Sequence, residues 1–234
     1  MVATKTGVWT LNKTRVICIL GALAVIFVVF GFSYVSSAEK FPIKHVRVEG
    51  DYTHEDPNQI KSLVTPLVAQ GLFSVNLGAI QTELQQLPWV QSAVVSRVWP
   101  DEILITLTEK MPLARTAKNG VLTQTGDLFF PAANQIPNDL PLFEGEAANY
   151  KMMAEAYQHF SAILAPLDLH ILELRLTSGM IWRVRLSNGM TVTIGGEEMD
   201  ARLQRFSQVY SKLFANRIAS SVDLRYQQGL AIKW

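Results

Sequence analysis

Hydrophobic and polar positions change their period several times along the chain. Val16 to Val35 reads VICILGALAVIFVVFGFSYV and carries no charge. At ~1.5 Å per residue, such a run can cross a ~30 Å hydrocarbon core as one helix. From Ile43 to Glu49 the pattern alternates instead, and Val46 and Val48 mark the buried face of a short strand that Gly50 punctuates. Thr53 predicts a cap for a helix opening near Glu55-Asp56-Pro57, where proline suits the first turn. Ile60, Leu63, Val64, Leu67 and Val68 form its apolar stripe. Pro66 shortens that helix and Gly71 stops it. Asn76 predicts the cap of a second helix, with Ile80, Leu84 and Leu87 inward and Pro88 at its end. Val90–Val98 and Glu102–Glu109 then read as two strands around a Trp99-Pro100-Asp101 turn. In the second of these, Ile103, Ile105 and Leu107 share one face. The order β-α-α-β-β predicts a small α+β domain with helices covering one face of a sheet.

From Pro112 the pattern breaks into short apolar pairs among Gly, Pro, Asn and Asp, as short hairpin pieces and loops would. Tyr150–Leu164 reads as a helix, with Met153, Tyr157, Phe160 and Leu164 on one stripe. Strands are predicted at Ile171–Thr177, Ile181–Ser187 and Met190–Ile194, the last two joined by an Asn188-Gly189 hairpin turn. Gly195-Gly196 leads into a helix with Met199, Leu203, Phe206, Tyr210 and Leu213 inward. Its first turn holds Glu197 and Glu198, which favour the helix dipole and would repel a phosphate. The chain closes on a last hairpin that turns at Gly229. There is no repeat of fixed period and no low-complexity tract.

Charge assigns the compartment. Lys5, Lys13 and Arg15 precede the apolar run without an acid among them, whereas Glu39, Lys40, Lys44, Arg47 and Glu49 follow it with mixed signs. The positive-inside bias places the N-terminus in the cytoplasm and the body across the membrane. Ser36-Ser37-Ala38 loosely fits a cleavage site, but the run exceeds the ~7–15 residues of a secretory apolar region. A retained anchor is therefore favoured over a cleaved signal peptide. In 234 residues with a formal charge of +1, there is no global pull toward nucleic acid or anionic lipid. The one cysteine, Cys18, lies inside the apolar run, which excludes an internal disulfide framework.

Candidate chemistry is sparse. His45, His54, His159 and His170 show no i, i+3 or i+4 pairing of the kind a helix-borne metal site uses. No nucleophile elbow, phosphate loop or zinc-protease motif occurs. Asp51, Glu55 and Asp56 lack the spacing of a calcium loop. Arg183 and Arg185 point outward from a strand, as a solvated face or as part of a partner surface. Cofactor and metal residues are expected to be none, and an enzyme is not indicated. Two other classes would each leave a mark in the sequence. An envelope protein-assembly factor would need a barrel's many ~10-residue strands. A membrane-tethered cell-wall hydrolase would need a carboxylate pair or a nucleophile beside a base.

The string LPWVQSAVVSRVWPDEILITLTEKMP resembles the end of the POTRA domain in the bacterial cell-division family FtsQ/DivIB. The resemblance spans the chain, through FPIKHVRVEG, LFSVNLGAIQTELQQLPWV, DLFFP…LPLFEG and the terminal VDLRYQQGLAIKW. It implies a cytoplasmic tail at 1–15, a transmembrane helix at 16–35, a POTRA domain at 41–110 and a sheet-rich C-terminal β domain at 112–234. It also implies a non-enzymatic scaffold at the midcell septum in the bacterial inner membrane. Such a scaffold binds FtsB, and with it FtsL, and helps control septal peptidoglycan synthesis; its POTRA domain is implicated in contact with FtsK. Within the key string, Trp89 and Trp99 are read as core and Arg97 and Asp101 as a pair across the turn.

The same resemblance implies that the last strand receives a strand from FtsB, along Arg225, Tyr226, Gln228, Gly229, Leu230, Ile232, Lys233 and Trp234. A basic residue expected before the Trp182 strand is Met180 here, so one ion pair with FtsB is missing unless Arg183 replaces it. From the residues alone, a three-residue loop Gln227-Gln228-Gly229 with Gly229 left-handed would pair Tyr226 with Leu230 and Leu224 with Ile232. That register also pairs Val222 with Trp234 and Asp223 with Lys233. On it, Tyr226 and Trp234 are either anchors for the partner or closures of the hairpin's core.

Overall fold

The computed structural model describes residues 13–35, 41–215, 217 and 219–234. The chain forms two compact units, Met1–Thr108 and Glu109–Trp234. The tail's Lys5, the side chains of Lys13 and Arg15, and Ser36-Ser37-Ala38 lie outside the described residues.

The N-terminal apolar run is one continuous helix, α1 (Lys13–Val35), of 23 residues. Its described side chains, at 18 and 20–31, are exposed. Among the described residues no helix is long and apolar enough to cross a membrane.

The rest of the first unit comprises β1 (His45–Asp51), α2 (Pro57–Val64), α3 (Leu77–Gln85), β2 (Val90–Val98) and β3 (Glu102–Glu109). The sheet order is β1-β3-β2, with β1 parallel to β3. Ile60 and Val64 of α2, Ile80 and Leu84 of α3, and Ile103, Ile105 and Leu107 of β3 bury together as one core. Both helices thus cover the single apolar face that the alternation of β3 creates. β1 runs on through Gly50, which pairs with Leu107 at a φ of 125°. A Cβ at Gly50 would collide with the Leu107 carbonyl, so glycine here continues the strand rather than ending it.

The helix caps divide between expectation and correction. Asn76 caps α3, its Oδ1 accepting from the Ala79 N–H at 3.1 Å. α2 is capped by Asp56 rather than Thr53: Asp56 Oδ1 accepts from the Asn58 N–H at 2.8 Å. Pro57 supplies no N–H, so the carboxylate immediately before it is the group placed to serve the next donor.

The β2–β3 turn also separates its two tryptophans. Trp89 is fully buried, its ring stacked on His54 at 3.8 Å between centroids. Trp99 is 64% exposed, against the reading that both rings fill the core. Arg97 and Asp101 do not pair. The Arg97 guanidinium donates to the carbonyls of Leu72 (2.7 Å) and Val75 (2.8 Å), while Asp101 takes Lys44 at 3.1 Å. Those carbonyls belong to a loop with no strand partner, and their need for donors outranks a solvent-exposed ion pair.

The second unit builds a nine-stranded sheet in the order β12-β11-β10-β9-β8-β7-β4-β5-β6. Its strands are β4 (Pro112–Thr116), β5 (Val121–Thr123), β6 (Leu128–Phe129), β7 (Leu142–Glu144), β8 (Ile171–Leu176), β9 (Trp182–Leu186), β10 (Thr191–Ile194), β11 (Ser221–Asp223) and β12 (Ala231–Lys233). Two helices, α4 (Tyr150–Leu164) and α5 (Met199–Leu213), pack on the face carrying Phe143, Leu174, Trp182, Val184, Val192 and Val222. The fold is therefore mixed α+β with a sheet-rich second part, as the sequence pattern implies.

Two details of α5 differ from the pattern. The helix begins at Met199, so Glu197 and Glu198 precede its first turn and Asp200 is the acid within it. Leu213 is 42% exposed, whereas Arg202 is buried on the inward side. A hydrophobic stripe does not disclose that an arginine has a polar task inside.

Candidate protein interface at the terminal strand

β12 is the last strand of the sheet, and among the described residues one of its two edges has no neighbour. It pairs antiparallel with β11, which in turn lies parallel to β10. The register is Ser221↔Lys233, Val222↔Ile232 and Asp223↔Ala231. That differs by two residues from the register expected of a tight loop. The connection runs from Leu224 to Leu230, and Gly229 is not among the residues with positive φ.

α5 accounts for the longer loop. Arg202 Nη1 donates to the carbonyl of Leu224 at 3.2 Å and also to that of Arg225. Arg205 Nη1 donates to the Gln227 carbonyl at 2.7 Å. The Leu224 N–H donates to the Thr193 carbonyl at 2.8 Å. Loop carbonyls that a tight hairpin would pair across the turn are held instead by guanidinium groups from a helix.

The charges rearrange with the register. Asp223 faces Ala231, not Lys233, and is gripped by Arg225: Nη2 to Oδ2 at 2.6 Å, Nε to both oxygens at 3.0 Å, and the Arg225 N–H to Oδ1 at 3.0 Å. The Arg225 side chain holds the Asp223 carboxyl below its ordinary range, and Asp223 raises the guanidinium in return. Lys233 lies opposite Ser221, where the Ser220 N–H and hydroxyl both donate to the Lys233 carbonyl.

Both aromatics stay at the surface. Tyr226 is 58% exposed and Trp234 46%. Neither closes a hairpin core. Trp234 leans on Phe214 at 5.8 Å between centroids, with the Arg217 guanidinium 5.0 Å from its ring. Gln228 and Gly229 are exposed, and Leu230 and Ile232 are half-buried against the core. A shallow cavity of about 220 Å³ lies over the last three strands, lined by Thr193 of β10, Ser221, Val222 and Asp223 of β11, and Ala231, Ile232 and Lys233 of β12. Of the expected contact set, then, the backbone of Ala231–Lys233 forms an edge, with Tyr226 before it and Trp234 after it.

Arg183 occupies a row across the sheet: Arg183↔Thr193, Thr193↔Asp223 and Asp223↔Ala231. At ~4.8 Å per strand, it stands roughly 14 Å inboard of β12. It does not reach a strand added beyond that edge. Its neighbour Arg185 pairs with Glu173 at 3.3 Å, and Glu173 also takes Arg175 at 3.3 Å. Met180 sits in the β8–β9 turn with a φ of 54°.

No group of His, Cys, Asp and Glu able to hold a metal occurs among the described residues. A cavity of about 570 Å³ lies between α4 and the start of α5, where His159 Nδ1 meets Asp200 Oδ2 at 3.1 Å. Its lining side chains include no hydroxyl or thiol nucleophile beside that pair.

Comparison with known proteins bears on the whole chain. The family described as POTRA domain, FtsQ-type, matches residues 41–110. Cell division protein FtsQ/DivIB, C-terminal, matches residues 113–225, so Tyr226–Trp234 lie beyond the match. The cell division protein FtsQ of Coxiella burnetii is 31% identical over 95% of this chain and 92% of its own length. That of Xanthomonas campestris pv. campestris is 32% identical over 92% of this chain and 76% of its own. The extracytoplasmic domain of DivIB from Geobacillus stearothermophilus aligns with 47% of the chain at 16% identity and a TM-score of 0.31, too low to carry a fold inference. With both parts of the chain matched and relatives aligned over nearly all of it, the chain belongs to the FtsQ/DivIB family of bacterial cell-division proteins.

Proposed function

We propose that the protein is a non-enzymatic scaffold of the divisome that offers β12 to FtsB and, with FtsB, holds FtsL. Membership in a cell-division family supports a divisome role. The observation that carries the finer reading is the edge of β12 that no strand among the described residues pairs with, which Tyr226 and Trp234 flank with exposed rings. A strand edge left open is a hazard unless it is used or guarded. An extended partner segment adds to such an edge through main-chain hydrogen bonds, and side chains beside it set the specificity. Aromatic and arginine side chains dominate the energy of many interfaces. Arg225 is already committed to Asp223, so its role is to fix the loop and leave the remaining donors of its guanidinium for a partner acid.

In this reading α1 is a retained inner-membrane anchor with the basic tail in the cytoplasm. The units that follow lie in the periplasm at the midcell septum, the POTRA domain at 41–110 and the β domain at 112–234. The POTRA domain is a second contact region, toward FtsK or other divisome proteins. Binding of FtsB and FtsL links early and late division proteins and controls septal peptidoglycan synthesis.

The test is titration of a periplasmic FtsB fragment against the protein and its variants. Tyr226→Ala and Trp234→Ala should each weaken binding by about 2 kcal/mol or more, roughly 30-fold in Kd. Circular dichroism should stay unchanged, since both rings are exposed. Full-strength binding by both variants would sink the docking edge.

A further inference from the structure

Trp99 is a large aromatic residue of the β2–β3 segment that the core does not bury. At the tip of the turn its indole is 64% exposed. It is nonetheless built in. Trp99 packs edge-on against Phe73 at 5.4 Å and Phe41 at 6.3 Å, and those two rings meet each other at 5.1 Å. Phe41 is fixed in turn, since its carbonyl accepts from the Leu72 N–H at 2.9 Å. The three rings form a mounted aromatic platform with one open face.

Its position in the chain is informative. α1 ends at Val35 and Phe41 follows six residues later. Six residues span at most about 22 Å. The platform is therefore tethered close to the end of the apolar helix, and no other part of the first unit is tied so near in sequence. The charges beside it are quenched as well. Asp101 is paired with Lys44 at 3.1 Å, and Glu102 with Arg47 at 2.6 and 2.8 Å. No unpaired carboxylate of the turn opposes approach to an anionic surface.

We infer that Trp99, backed by Phe41 and Phe73, seats the first unit on the headgroup layer of the membrane that α1 crosses. The inference rests on the anchor proposed above. Indole suits this layer because its apolar body and N–H match the two sides of the boundary, which is why tryptophan is enriched there. Contact at Trp99 would fix the orientation of the first sheet relative to the bilayer.

The test uses the full chain in vesicles of phosphatidylethanolamine and phosphatidylglycerol whose acyl chains are brominated near the headgroup. Bromine quenches nearby indoles. The chain has five tryptophans, so the difference between the wild-type protein and Trp99→Phe isolates one of them. Near-UV circular dichroism checks that the exposed substitution leaves the fold intact. The inference expects a quenched component that is present in the wild type and lost in Trp99→Phe. Equal quenching in both, with the protein retained after carbonate washing, would overturn it alone and assign the platform to a soluble partner. Release of the chain by carbonate would remove the anchor, and this inference with it.

Discussion

The β2–β3 and β11–β12 pairs are both strand neighbours close in sequence, yet they are determined in different ways. β2 and β3 are nine and eight residues long; β3 alternates along its length, burying Ile103, Ile105 and Leu107, while β2 buries Val90 and Ala93 beside it. A slip of one residue would turn Ile103, Ile105 and Leu107 out to water, so the register has many votes. β11 and β12 have three residues each. Their few apolar positions leave the register weakly specified, and the deciding contacts come from α5, through Arg202 and Arg205. The first pair is fixed by its own pattern. The second is fixed from outside and ends in an edge, which suits the partner strand proposed to add there.

The largest test of that contrast is Trp89→Ala. The ring is fully buried in the first unit, and its removal should cost that unit about 3–5 kcal/mol. In denaturation of the full chain, the transition of the first unit should fall while that of the second holds. Coincident loss of both would show that the second unit depends on the first.

Next in size is Arg202→Leu. It removes donors from the carbonyls of Leu224 and Arg225 and should destabilise the second unit by about 1–3 kcal/mol. Binding of the FtsB fragment should weaken with it, because the loop that sets β12 loses its hold. Arg97→Leu is the matched control in the first unit. Arg97 performs the same carbonyl-holding task from an exposed position, where water can replace it. About 0.5–1.5 kcal/mol is expected, measured in urea. A larger loss at Arg97 than at Arg202 would reverse the comparison.

The smallest effect concerns acid. Arg225 lowers the folded pKa of Asp223 below its ordinary 3.8. A depressed carboxyl contributes stability that is fully present above its unfolded value and is lost as pH falls through the folded one. Between pH 5 and 8 the pair should therefore give a flat profile. Asp223→Asn should reduce the steepness of the second unit's stability loss below about pH 4 and leave its shape at neutral pH unchanged. An equally steep acid limb in the variant would mean that other carboxylates set it.

What could be read from the sequence follows the same line. The bounds of strands β2 and β3 and of helix α4, the Asn76 cap, and the inward faces of α2 and α3 were all legible, because each is repeated in local chemistry. The edge position of the last strand was accessible from the FtsQ/DivIB resemblance, whereas the residues alone left Tyr226 and Trp234 open between surface and hairpin core. What could not be read depended on residues distant in sequence. Trp99 looks like core until its neighbours are placed. Arg97 and Arg202 look like surface charges until the carbonyls they serve are seen. The Asp223 partner changed from Lys233 to Arg225 because a two-residue shift costs little in such short strands.

Hydrogen exchange at the two strand edges separates a docking edge from an idle one. Both β1 and β12 are outer strands of their sheets. With a periplasmic FtsB fragment bound, the amides of Ala231–Lys233 should exchange more slowly, while those of His45–Asp51 remain as they are without it. Unchanged exchange at Ala231–Lys233 under saturating fragment, or protection that appears at His45–Asp51 instead, would contradict the terminal strand as the docking edge.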